Sequence, residues 1–151
     1  MPSAFTRAVL GFIAAAISVL TFHQGIVGLY YLAHAAGRPW SLAPVPPFGV
    51  PRVLDLCFWG GLYGIGYGLI WPWLAVPRWF SGILLGFLAV AVLWLVVAPL
   101  KGAPLGFGWH ADGMIRSLII NGGWGLGVGL ILPRIMPRST SRRRHARMRT
   151  G

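Results

Sequence analysis

The chain has 151 residues, 56% of them hydrophobic and only 10% charged, with a mean hydropathy of +0.71. A water-soluble domain of this size cannot bury that much apolar surface, so lipid is its main solvent. Thirteen Lys and Arg against two acids, Asp55 and Asp112, give a net charge of +11. With no Glu and two acids, the chain excludes two-carboxylate hydrolases, carboxylate cages for Ca²⁺ or Mg²⁺ and di-iron sites, and a single cysteine, Cys57, excludes internal disulfides and thiolate zinc sites.

A helix that crosses a bilayer needs about 20 apolar residues, and four stretches meet that length. The first covers 8–35. Arg7 precedes it and Ala33-His34-Ala35 has the form of a small-residue cleavage site, but a signal h-region is only about 7–15 residues long, so a retained helix is expected. His23 and Gln24 lie deep in this otherwise apolar run. Unpaired burial of such groups is costly, so both are expected to face another helix, a partner subunit or a lipophilic ligand such as a quinone or pigment.

The connection over 36–51 is rich in Pro and Gly and carries Trp40 and Phe48. It has few solubilising groups, which suits a loop lying in headgroups or docked on another protein. The second span covers 53–73. Arg52 and Asp55, three apart at its start, are expected to neutralise each other as an interfacial ion pair. Gly61, Gly64 and Gly68 share one helical face and form a close-packing surface, because lipid gives helices no hydrophobic drive to associate. The third span, 79–99, is apolar apart from Ser81 and is expected mostly to face lipid. The fourth, 114–132, repeats the pattern of the second: Asp112 and Arg116 form the ion pair, and Gly122, Gly125 and Gly129 the glycine face.

An offset of 61 lays Gly61, Gly64, Gly66, Gly68, Leu69, Ile70 and Pro72 on Gly122, Gly125, Gly127, Gly129, Leu130, Ile131 and Pro133. This predicts two tandem helical hairpins in the same orientation, an internal repeat whose pseudo-twofold axis runs along the membrane normal, with the second and fourth helices at the tight centre. The expected fold is thus an all-α membrane protein with four transmembrane helices over 1–133 and a basic cytoplasmic tail over 134–151.

Four spans put both termini on one side, and that side collects nine basic residues against Arg38, Arg52, Lys101 and Arg116 on the other. The positive-inside rule then makes the termini cytoplasmic in an inner membrane. Trp71, Trp73 and Trp79 fall at the inner interface and Trp40 and Trp109 at the outer one. Arg142, Arg143 and Arg144 in the tail are expected to bind anionic lipid headgroups, not nucleic acid, since no folded domain presents them.

No nucleophile–base spacing and no metal-ligand cluster is visible, so no catalytic or metal site and no tightly held cofactor other than lipid is expected. The small multidrug transporters are similar in having four short helices, but their membrane-embedded glutamate has no counterpart in a chain without Glu. The functional expectation is a non-catalytic accessory subunit of a larger inner-membrane complex, contacted through the first helix and the outer loops. The alternative is a small oligomeric transporter, channel or lipid-handling protein built on the glycine-rich second and fourth helices.

Overall fold

The computed structural model describes residues 2–137. Its architecture is four long helices: α1 (Ala4–Leu32), α2 (Arg52–Trp73), α3 (Arg78–Leu100) and α4 (Ala111–Ile135). Each is long and apolar enough to cross a membrane. The protein is therefore an all-α, membrane-spanning four-helix bundle, and the only sheet among the described residues is a two-residue antiparallel ladder, β1 (Pro44–Val45) with β2 (Val50–Pro51).

Local chemistry sets the ends. The Ser3 hydroxyl caps α1 by accepting from Thr6 N–H at 3.1 Å, which starts the helix four residues before the apolar run. The first two N–H groups of α2 are bonded by the preceding loop, Arg52 N–H to Ala43 O and Val53 N–H to Ser41 O. The fourth apolar span ends at 132, yet α4 continues through Pro133 to Ile135, and Met136 N–H closes on Leu132 O at 2.9 Å. A proline this close to a C-terminus removes one bond of the last turn and leaves the preceding ladder intact.

Two helices contain a wide turn. In α1 it covers Val19–His23 and in α3 Leu93–Val97. In α1 the Gln24 N–H reaches back to Val19 O, which frees the Leu20 carbonyl for the indole N–H of Trp40 at 3.0 Å. In α3 the wide turn lies just before Pro99, which has no N–H to continue the ladder.

The helices pack in the order α2–α1–α4–α3. The most extensive contacts are within the sequential pairs α1–α2 and α3–α4, the α1–α4 seam is next, and α2 barely touches α3. Glycines explain the closeness of the pairs. A Cβ on Gly64 would run into Gly11 O and the Ala15 side chain, and one on Gly68 into Arg7 O. In the second pair, a Cβ on Gly125 would strike Gly82 O and one on Gly129 would strike Arg78 O.

One expectation is corrected here. The glycine faces of α2 and α4 do not meet each other; each is spent on its own hairpin partner, and α2 meets α4 at the Trp124 ring, edge-on to Tyr63 at 6.2 Å. α3 is the least buried of the four spans, in keeping with a helix that mostly faces lipid. Its own small face, Ser81, Gly82, Leu85, Gly86 and Val90, is buried, because Gly82 and Gly86 fit the α4 backbone as closely as Gly64 and Gly68 fit α1.

The seam between the hairpins is polar at its centre. Ser18 Oγ donates to Trp124 O at 2.6 Å and the Trp124 indole N–H donates to Ala15 O at 3.1 Å. Both residues are buried, so the two bonds join α1 and α4 where no water competes.

Candidate functional site

α2 and α3 are pinned together at one end and separate at the other. The pinned end is the side of the short connection between Trp73 and Arg78, which is also the side of both ends of the described chain. There Tyr67 Oη shares a 2.6 Å hydrogen bond with Ser81 Oγ and lies 3.1 Å from Arg78 O. The Arg78 guanidinium donates to Trp71 O and Leu74 O and stacks 4.2 Å from the centre of the Trp71 ring. Its charge is thus held by the turn itself.

Toward the opposite, distal side a cleft of about 450 Å³ opens between α2 and α3. Apolar side chains such as Val19, Leu56, Leu93 and Val97 form most of its wall, with Trp59 and Trp124 as aromatic surfaces. Polar side chains are few: His23, Asp55, Tyr63, Lys101 and Asn121. A mostly apolar cavity of this volume with a few converging polar atoms has the properties of a small-molecule or lipid site.

The two residues singled out in the first span have different fates. Gln24 is only 4% exposed, and its Oε1 accepts from the Trp40 backbone N–H at 2.7 Å. Its Nε2 lies 3.3 Å from His23 Nδ1. An amide N–H donating there places the ring proton of a neutral His23 on Nε2, leaving that N–H as a donor. His23 lines the cleft. The chain's own loop therefore supplies the partner that Gln24 needs, and His23 is the residue that faces open space.

Trp40 is held with φ at +47°, a region that bulky side chains rarely occupy. Its two hydrogen bonds to α1, through backbone and indole, fix it there.

The expected ion pairs are not closed. Asp55 accepts from Trp59 Nε1 at 3.1 Å, one turn along α2. Arg116 crosses to Ala35 O at the end of α1. The polar ends of α2 and α4 are thus tied to an indole and a backbone carbonyl instead of to each other's charges. Of the six glycines, Gly61 holds the Phe12 ring, Gly122 faces Phe87, and the other four sit against backbone. None of the six lines the cleft. Arg142, Arg143 and Arg144 lie outside the described residues. No group of three or more potential metal ligands occurs among the described residues.

Apart from His23 and Asp55, the residues of the cleft wall, Trp59, Tyr63, Lys101, Asn121 and Trp124 among them, are not candidates on sequence alone. Lys101, the only lysine, sits just beyond an apolar span, and Asn121 is the one amide in the fourth span. Those isolated polar groups were the available signal. Comparison of the chain with protein-family models, curated proteins and solved structures returned no match.

Proposed function

We propose that this membrane-spanning protein holds a lipophilic molecule in the cleft between α2 and α3, as a lipid-handling protein. The observation that carries the reading is the cleft itself: about 450 Å³ of mostly apolar space between two helices that scarcely touch, with His23 and Asn121 on its wall. Space of this kind between spans is filled by lipid tails or by a molecule that resembles them. Bound lipid fits the lining, and a quinone or pigment head could take a hydrogen bond from His23 Nε2–H.

The reading of the chain as an accessory subunit of a larger inner-membrane complex comes second. It is favoured by the exposed side chains of the long connections: Leu42 is 72% exposed, Phe48 87% and Leu105 52%. It no longer draws on Gln24, whose partner is Trp40. Two further features belong to the proposal. The equal positions of Gly11 with Gly82, Gly64 with Gly125 and Gly68 with Gly129 in their pairs support descent from a duplicated hairpin. The excess of basic residues on the terminal side supports an inner-membrane protein with both termini in the cytoplasm, its tail drawn to anionic lipid.

The test is purification from membranes in mild detergent, followed by organic extraction and mass spectrometry of both extract and protein. A lipophile recovered at about one per chain, and reduced by Val97→Trp in the cleft wall, is the expected result. A lipophile-free chain recovered in fixed ratio with other membrane proteins would replace it with the accessory-subunit reading.

A further inference from the structure

A second cavity of about 410 Å³ adjoins the first on the distal side, between the first long connection and the starts of α1's last turns and α2. His23 and Leu56 belong to the walls of both. The chemistry of the two spaces differs. Arg38, Arg52, Gln24 and Ser41 line the second, and neither of the chain's two acids does. Asp55, the nearest acid in sequence to Arg52, lines the apolar cleft and is engaged by Trp59.

The two arginines also differ from others in the chain. Arg78 and Arg116 donate to backbone carbonyls that hold the fold together. Arg38 and Arg52 are exposed and converge on the same cup from a loop and from a helix start. Two guanidiniums in a cup without a carboxylate are matched by an anion that can take several N–H donors, and a phosphate does this with paired bonds. An apolar cleft and a cationic cup that share a wall describe one amphiphile, not two ligands.

We infer that the occupant is an anionic phospholipid of the surrounding membrane, one acyl chain in the α2–α3 cleft and its phosphate between Arg38 and Arg52, with His23 at the junction. This rests on the lipophile-binding reading above and adds the charge of the head. A neutral quinone would leave both guanidiniums to water.

The full chain, in neutral detergent, is titrated with phosphatidylglycerol and with diacylglycerol of the same acyl chains, which lacks the phosphate, and bound lipid is counted by native mass spectrometry. Phosphatidylglycerol should bind about tenfold more tightly, the scale of one or two charge-assisted bonds. Inorganic phosphate at millimolar concentration should not displace it. The double variant Arg38→Gln/Arg52→Gln should bind both lipids alike, while Arg38→Lys/Arg52→Lys should keep most of the preference. Ala89→Phe and Val97→Trp, in the cleft wall, should weaken both lipids.

An unchanged preference in the glutamine variant would overturn the headgroup assignment and leave the cleft reading in place. Displacement by inorganic phosphate would assign the cup to a free anion and overturn the lipid. Unaltered binding of both lipids in both cleft variants, each eluting like the wild type, would overturn the cleft reading as well.

Discussion

Trp124 shows how much one side chain does in this bundle. It is 2% exposed, bonded through both its indole and its carbonyl to α1, and its ring separates α2 from α4. Trp124→Phe keeps most of the volume and loses one interhelical bond, so a loss of about 0.5–1.5 kcal/mol is expected. Trp124→Ala also opens a cavity at the crossing of three helices and should cost about 3–5 kcal/mol. Unfolding in mixed detergent micelles measures both, and equal losses would mean that the ring volume is not what matters. Gln24→Leu removes the acceptor of the Trp40 N–H. It should leave the helices in place and speed amide exchange at Trp40 and its loop neighbours by at least about tenfold. His23 and Gln24 stood out in the sequence because they are polar within an apolar run. Their partner did not, because Trp40 lies sixteen residues on and its indole reaches α1 through a carbonyl that the wide turn sets free.

At the scale of helices, the distinction is between glycines that touch backbone and glycines that do not. Gly64 and Gly66 are two apart in α2, yet the first has no room for a Cβ and the second has nothing within 4 Å. Gly66→Ala is expected to be neutral or to stabilise by up to about 1 kcal/mol through helix propensity. Gly64→Leu should separate α1 from α2 and lose about 1–3 kcal/mol, as overpacked interiors do. Gly82→Leu should do the same for α3 and α4. Thermal unfolding in detergent ranks the three, and a Gly64→Leu protein as stable as Gly66→Ala would remove close backbone packing as the basis of the pair. The glycine faces were legible because i, i+3, i+7 spacing defines a stripe. The stripe does not say what it meets. On α3 the GxxxG spacing of Gly82 and Gly86 was equally legible; the apolarity of the rest of that helix pointed to lipid, and α3 is the least buried of the four spans.

For the whole molecule, four apolar runs of spanning length were enough to define the bundle, since a bilayer admits few other forms for such a chain. The cleft was not legible, because it depends on the order in which helices sit around the bundle, and the repeat pattern suggested α2 beside α4. With α2 and α4 on opposite sides of α1 and meeting at the Trp124 ring, the gap between α2 and α3 becomes the open side. Topology is tested separately from packing. Reporters fused after Gly151 should be active only as cytoplasmic fusions, and one placed near Phe48 only as an exported fusion. An active exported reporter at Gly151 would invert the assignment of sides.

The knot of Tyr67, Ser81 and Arg78 makes the protein unequal toward the two leaflets. On the proposed lipid-binding reading, with α2 and α3 fastened at the terminal side, a tail enters between them from the leaflet beside the distal rim. A helix of 23 residues, the length of α3, extends about 35 Å, so tilting α3 by about 5° around the knot moves its far end by about 3 Å. Small changes in tilt, such as those by which helices adapt to bilayer thickness, are thereby magnified at the rim and almost absent at the knot. On that same reading, the width of the cleft is expected to follow the thickness of the membrane in which the protein sits.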